Sequence, residues 1–136
     1  MKREPVSGNV ALAICAVGAL GSSDPSQVLA LVDDEILYES PFYPSSPTVR
    51  SRQAFTDLIH HVHLTLSRVA FEIVDAFAAD DAERVVVECR GNSVVASTSA
   101  PYRNHYLMML RFRGGLIVEW REFSNPLVYS AAMDAT

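Results

Sequence analysis

Residues 102–126 read YRNHYLMMLRFRGGLIVEWREFSNP, and this segment fixes the architecture of the chain around it. Two runs rich in apolar, aromatic and β-branched residues flank the pair Gly114 and Gly115. Two glycines between such runs are typical of a tight β-hairpin, because the turn needs positive φ at both central residues. The segment therefore predicts two antiparallel strands joined at the glycines.

The turn also predicts which residues pair across the hairpin. Counting outward, Arg113 pairs with Leu116, and regular pairing places His105 opposite Ser124. Because side chains alternate between the two sides of a strand, this register puts seven residues on one face of the hairpin: His105, Leu107, Met109, Val118, Trp120, Glu122 and Ser124.

On that predicted face, His105 and Glu122 are diagonal neighbours, roughly 7 Å apart at the backbone. An imidazole and a carboxylate beside large apolar side chains suit an acid/base site, because an apolar wall shifts pKa values and excludes water. The alternatives are a surface ion pair on a solvated sheet face and a purely structural pair.

Composition narrows the class of protein. A chain of 136 residues is expected to form a single domain, residues 1–136. A net charge of -5 gives no basic surface for nucleic acid. The N-terminal apolar run is too short to span a bilayer, and Glu4-Pro5 interrupts a signal-like basic segment. We therefore expect a cytoplasmic protein that binds neither nucleic acid nor membrane.

Hydrophobic periodicity outside the hairpin predicts helices before strands. Phe55 and Ile59 belong to the apolar stripe of the most amphipathic helix. The predicted helices cover residues 6–20, about 24–32 and 52–66, and the predicted strands cover residues 35–40, 69–78 and 84–97. This order favours an α+β domain whose curved antiparallel sheet wraps around the N-terminal helices and leaves a conical hollow for a small molecule.

Two further groups of residues are candidates for the site. Phe42 and Tyr43 lie in a proline-rich loop, PFYPSSP, which is either an aromatic lid over a cavity or a plug on the core. His60 and His63 have a spacing that metals can use, but no nearby third ligand completes a site. We therefore expect no metal.

Three patches carry a resemblance to a known family: VECRG at 87–91, YRNHY at 102–106 and REFSNP at 121–126. Together with the order of the elements, they resemble the NTF2-like, SnoaL-type superfamily, which includes ketosteroid isomerase, polyketide cyclases and limonene epoxide hydrolase. The three patches are most similar to the phenazine-biosynthesis A/B proteins. The similarity extends over about residues 35–130.

The resemblance implies a cone-shaped fold, usually a homodimer, with a cofactor-free pocket for acid/base chemistry. It implies that Glu122 acts as a general acid and that Tyr102 lines the pocket. The helix histidine of the phenazine proteins aligns near Leu58 here, so that partner is missing or replaced. His105 is the first choice for the second proton-transfer group, with His60 and His63 as alternatives.

We therefore expect a cofactor-independent cyclase or isomerase of secondary metabolism, with Glu122 and His105 as catalytic residues. In an ideal strand Tyr102 lies on the face opposite His105, so a bulge would be needed to bring it into the site. The rival functions are an epoxide hydrolase and a non-catalytic binding or dimeric assembly module. Eight residues are expected to contact the substrate: Tyr38, Phe42, Tyr43, Leu58, Tyr102, Leu107, Met109 and Trp120.

Overall fold

The computed structural model describes residues 8–46 and 48–134, and within them the chain has an α+β fold of helices packed on a five-stranded sheet. In chain order the elements are α1 (Gly8–Ala19), α2 (Ser26–Leu29), β1 (Val32–Glu39), α3 (Arg52–Thr65), β2 (Leu66–Ala78), β3 (Arg84–Val95), β4 (Pro101–Arg113), β5 (Leu116–Phe123) and α4 (Pro126–Met133).

The predicted elements are confirmed, with changes at their ends. The second helix is shorter than predicted, because β1 already begins at Val32. The apolar tail forms the short helix α4, whose first turn is capped by Asn125: its side chain accepts a hydrogen bond from the Leu127 N–H at 3.0 Å. Residues 6 and 7 of the first predicted helix lie outside the described residues.

The sheet has the strand order β1-β5-β4-β3-β2, and it is curved and unclosed. The three pairings from β2 to β5 are antiparallel, as predicted. The pairing of β1 with β5 is parallel, so the prediction of a wholly antiparallel sheet is wrong at this edge. Strands joined by a hairpin must run antiparallel, whereas β1 and β5 are far apart in the chain and no such connection constrains them.

Helices α1 and α3 cover the concave face of the sheet. Helix α3 begins after Ser51, whose side chain accepts a hydrogen bond from the Ala54 N–H at 3.1 Å, and it buries Phe55 and Ile59. Helix α1 buries mostly small residues against β2 and β3, which lets its backbone approach the sheet closely. The two helices and the sheet thus enclose the main core.

Strand β4 alternates strictly between its two faces. Every even-numbered residue from Tyr102 to Phe112 is buried on the concave side, and the odd-numbered residues point to the outer side. The predicted turn is confirmed: Gly114 and Gly115 have φ of 59° and 79°, and Arg113 pairs with Leu116. The next pair, Phe112 with Ile117, also matches the prediction.

Beyond that pair the predicted register is wrong. The register shifts by one residue at Val118, so that Arg111 pairs with Glu119 and Leu110 pairs with Trp120. A bulge of this kind places two residues of one strand opposite one residue of its partner. As a result, every later side chain of β5 lies on the face opposite to the predicted one.

The bulge places side chains of similar polarity opposite each other on β4 and β5. With it, the Arg111 guanidinium donates to the Glu119 carboxylate at 3.1 Å on the outer side, and Trp120 joins Leu110 in the core. Regular pairing would have placed Arg111 opposite Val118 and Glu119 opposite Leu110. The shift therefore pairs two charged residues on the outer side and two apolar residues in the core. Among the described residues, no helix is long and apolar enough to cross a membrane.

Candidate active site

A small cavity lies between helix α3 and the concave face of the sheet. Its volume is about 60 Å³, room for roughly four to six water molecules. An apolar pocket with a few convergent polar groups is the usual form of a small-molecule site. Its walls are Leu20, Tyr38, Phe55, Leu58, Ile59, Val62, His63, Phe71, Trp120 and Glu122.

The cavity has a buried end and an open end. The buried wall residues are Tyr38, Phe55, Ile59 and Trp120, and the half-buried ones are Leu20, Leu58, Val62, His63, Phe71 and Glu122. The mouth is therefore lined by the half-buried residues that follow α1 and lie on α3, β2 and β5. A ligand larger than the cavity would extend through this mouth.

Among the described residues that line this cavity, Glu122 is the only one with a carboxyl group. It projects from β5 on the concave side because the bulge at Val118 reverses the face on which it would otherwise lie. Its carboxylate accepts a hydrogen bond from the Tyr38 hydroxyl, which comes from the neighbouring strand β1. The group is thus held in one place by a partner on a rigid strand.

The surroundings favour the neutral form of Glu122. Burial is the largest influence and raises the pKa of this carboxyl above its ordinary value, while the hydrogen bond from Tyr38 opposes that shift. Burial also raises the pKa of Tyr38 well above its ordinary value, and the nearby Glu122 charge adds to this. Tyr38 therefore remains a hydrogen-bond donor, and Glu122 holds its proton more tightly than an exposed glutamate does.

Aromatic rings support this pair from behind. Trp120 is fully buried and packs against Phe55 and Tyr38, with ring centroids 5.7 and 6.4 Å apart respectively. The Trp120 Nε1–H has no acceptor among the described residues, and neighbouring atoms cover it, so we assign it no role toward a ligand. The ring instead provides an apolar wall that fixes Tyr38.

His63 is a further polar side chain that lines the cavity. It lies in the last turn of α3, and its Nε2 is 2.9 Å from the Leu20 carbonyl oxygen. His60 and His61, on the same helix, are exposed and do not line the cavity. Of the three helix histidines, the structure brings only His63 to the same cavity as Glu122.

The prediction that His105 and Glu122 share one face is wrong. Because of the bulge at Val118, His105 lies on the outer side of the sheet while Glu122 lies on the concave side. His105 instead forms an exposed ion pair with Glu88, with 2.6 Å between Nε2 and Oε2. The surface ion-pair alternative describes this histidine correctly.

The structure also shows which of the expected substrate contacts line the cavity and which do not. Tyr38, Leu58 and Trp120 line the cavity, as predicted. Leu107 and Met109 do not: they lie with His105 in an open groove on the outer side of the sheet, together with Phe42. Phe42 is 55% exposed, so it is neither a lid over the cavity nor a plug on the core.

Tyr102 and Tyr43 belong to a hydrogen-bonded group beside the cavity rather than to its wall. Tyr102 is buried on the concave side, and its hydroxyl accepts bonds from the Asn104 amide at 2.9 Å and from the Tyr106 hydroxyl at 3.1 Å. Burial raises the pKa of Tyr102 to about 12. Tyr43 shares a hydrogen bond of 2.6 Å with Ser124. No bulge at the start of β4 is needed to bring Tyr102 to the concave side.

Sequence reasoning overlooked part of the cavity wall. Phe55 and Ile59 were assigned only to the apolar stripe of a helix, and Leu20 and Phe71 were not singled out. A signal for the correct face was available in β4, whose even-numbered residues are apolar or aromatic with one exception, Asn104. Within the described residues, no group of three or more His, Cys, Asp or Glu side chains could hold a metal ion.

Comparison with known proteins agrees with this architecture. An uncharacterized protein of Bacillus subtilis (strain 168), YesE, is 28% identical over 104 residues, which cover 75% of this chain and 71% of YesE. A phenazine biosynthesis-related protein from Pseudomonas aeruginosa superposes with a TM-score of 0.82 at 17% identity, covering 95% of this chain and 86% of that one.

An epoxide hydrolase of the LEH-like type from M. tuberculosis superposes with a TM-score of 0.73 at 17% identity, covering 94% of this chain and 91% of that one. At these identities the two structures show a shared fold, which is the NTF2-like fold expected from the sequence. The SnoaL-like domain family matches residues 14–120. With more than half of its length matched, this chain belongs to the SnoaL-like domain family.

Proposed function

We propose that the protein is a cofactor-independent cyclase or isomerase of secondary metabolism that acts on a small, largely apolar molecule. One observation carries the proposal: Glu122, with a raised pKa and a hydrogen bond from Tyr38, faces a largely apolar cavity. The family includes cyclases and isomerases, which are reactions that move protons and need no redox group.

In the proposed reaction, Glu122 is the general acid. It donates its proton to a carbonyl or epoxide oxygen of the substrate, which becomes a better electrophile as that proton arrives. The apolar wall excludes water, so the electrostatic effect of the acid on the substrate oxygen is stronger than it would be in solvent. Tyr38 then stabilises the Glu122 carboxylate that remains, because it already donates to that group.

The mass of the product tests this proposal. Purified protein, without added cofactor, should convert apolar epoxides or enones that carry an internal nucleophile into isomers of unchanged mass, as measured by liquid chromatography and mass spectrometry. Heat-denatured protein is the control. Conversion that requires an added nicotinamide, flavin or metal would contradict a cofactor-independent reaction.

The alternative function is an epoxide hydrolase. The fold that this chain shares with the LEH-like hydrolase supports this alternative. In that reaction water, rather than a group of the substrate, attacks the protonated epoxide. The product would then gain one water molecule and would carry oxygen-18 when the reaction is run in labelled water. An unlabelled isomer supports the cyclase or isomerase.

We also propose that the protein forms a homodimer through the outer side of its sheet. The open groove there exposes 42% of Leu107 and 39% of Met109. The same side carries carboxylates, such as Glu88, and cations, such as Arg90. A second copy related by two-fold symmetry would cover the apolar residues and could place opposite charges against each other.

Sedimentation equilibrium tests the dimer. We expect twice the chain mass of 14.9 kDa, and we expect Leu107→Glu to give a monomer because a charge would be buried in the apolar contact. Leu64→Glu is the matched control, since Leu64 is 78% exposed on α3, on the other side of the sheet. A monomeric wild-type protein, or a Leu107→Glu variant that remains a dimer, would contradict this arrangement.

A further inference from the structure

Strand β2 contributes one side chain, Phe71, to the described wall of the cavity. The ring is half-buried, so it lies toward the mouth, whereas Trp120 is fully buried. A ligand that is too large for the cavity must pass this ring to reach solvent. The position of the Phe71 ring therefore affects how much of a ligand the cavity can hold.

Gly91 explains how a second aromatic ring comes to support Phe71. The two residues pair across β2 and β3, so they point to the same side of the sheet. Because glycine has no side chain, the place beside Phe71 is free, and the Tyr106 ring from β4 fills it. A Cβ atom added at Gly91 would lie 2.5 Å from Cε2 of Tyr106, closer than an ordinary contact. The Tyr106 ring thus lies directly on the backbone of β3.

Tyr106 is held through both its ring and its hydroxyl group. The ring contacts Phe71 edge to face, with centroids 5.5 Å apart and 71° between the planes. The hydroxyl donates to the Tyr102 hydroxyl at 3.1 Å, and both tyrosines are buried. A shift of the ring would leave a buried hydroxyl without its partner, which is costly. Phe71 is therefore supported by a ring that has little freedom to move away.

We propose that Phe71 determines the largest substrate that the cavity accepts, and that Tyr106 is the residue that positions it. This inference rests on the proposed function and deepens it, because it gives the size class of the substrate. A volume of about 60 Å³ suits one small ring beside Glu122. A second ring fused to the first stays outside the mouth as long as Phe71 is in place.

Two ketones test the size limit on purified protein. Cyclohexanone and decalone share a carbonyl oxygen that can accept a hydrogen bond from Glu122, and they differ by one fused apolar ring. Fluorescence of Trp120, which lines the cavity, reports the binding of both. The measured quantity is the ratio of the two dissociation constants, so a general loss of affinity cancels.

In wild type the two ketones should bind with affinities within about threefold of each other, because the second ring of decalone remains in solvent. In Phe71→Ala that ring enters the vacated space, and the ratio should move toward decalone by about tenfold or more. Phe71→Leu, which keeps a smaller apolar side chain, should give an intermediate ratio.

Ile73→Ala is the matched control. Ile73 lies two residues further along β2 on the same face and packs against the main core, but it does not line the cavity. Its removal should leave the ratio of wild type unchanged. Tyr106→Leu removes the supporting ring and should move the ratio toward decalone by about fivefold, less than Phe71→Ala does. Tyr106→Phe keeps the ring over Gly91 and should retain the ratio of wild type.

An unchanged ratio in Phe71→Ala, or an equal change in Ile73→Ala, would overturn the role of Phe71. A wild-type ratio in Tyr106→Leu would overturn the positioning role of Tyr106. These outcomes are separate from the proposed function: turnover that depends on Glu122 alongside an unchanged ratio removes only the size limit. The expected ratios without turnover on any substrate would instead remove the proposed reaction. A wild-type protein that binds neither ketone would contradict both.

Discussion

Glu122→Gln should reduce turnover by about 10² to 10⁴ while leaving ligand binding within a few-fold of wild type. Glutamine has nearly the same shape and can accept the hydrogen bond of Tyr38, but it cannot donate an acidic proton. The loss should therefore appear in kcat rather than in affinity. Fluorescence of Trp120, the only tryptophan of the chain and part of the cavity wall, reports binding directly.

Glu119→Gln is the matched control for this variant. Glu119 lies on the same strand but on the outer side, where it accepts a hydrogen bond from Arg111. Removing its charge should leave turnover unchanged. Equal losses in both variants would point to a general effect of the strand, and full turnover in Glu122→Gln would end the role of Glu122 as general acid.

The same pair of variants separates an enzyme from a binding module. A module that has kept the cavity but lost catalysis would bind ligands and show no turnover that depends on Glu122. An enzyme should show binding that survives in Glu122→Gln and turnover that does not. Binding and turnover must therefore be measured on the same preparation.

Glu122→Gln should also stabilise the protein at neutral pH relative to wild type. Because the pKa of Glu122 is raised in the folded state, the folded protein holds this proton more tightly than the unfolded chain does. Wild-type stability therefore falls as the pH rises from the unfolded pKa to the folded pKa, by about 1.4 kcal/mol for each unit between them. Glutamine does not ionise and escapes this loss.

The difference in unfolding free energy between the two proteins should thus grow from pH 4 upward and level off above the folded pKa. Urea denaturation at a series of pH values measures it. Glu119→Gln should show the opposite trend, because Arg111 lowers the pKa of Glu119 and this carboxylate contributes stability that is lost as the pH falls. A difference that is constant with pH for Glu122→Gln would contradict a raised pKa.

Much of the fold can be predicted from local sequence patterns. Gly114 and Gly115 place the hairpin turn, because few other residues tolerate positive φ at two successive positions. Phe55 and Ile59 mark the buried side of α3 through their helical spacing. Each of these predictions depends on residues close together in the chain, and each is confirmed.

The pairing of His105 with Glu122 could not be obtained in this way. One extra residue at Val118 reverses the face of every side chain that follows it on β5. The bulge occurs together with the burial of Trp120 and the ion pair of Arg111 with Glu119, and neither contact is visible from counting outward from a turn. The structure places Glu122 at the cavity with Tyr38, a predicted substrate contact, and with His63, an alternative for the second proton-transfer group. The hydrogen bond between Tyr38 and Glu122 emerges only from the folded chain.

The account depends most on the claim that Glu122 is a carboxylic acid facing the cavity, and NMR titration of the protein labelled with ¹³C at the glutamate carboxyl carbons measures this. The signal that disappears in Glu122→Gln should titrate above the ordinary pKa of 4.5 and should shift when a ligand fills the cavity. A pKa at or below 4.5 for this signal, or a signal that does not shift when a ligand is added, would contradict the assignment.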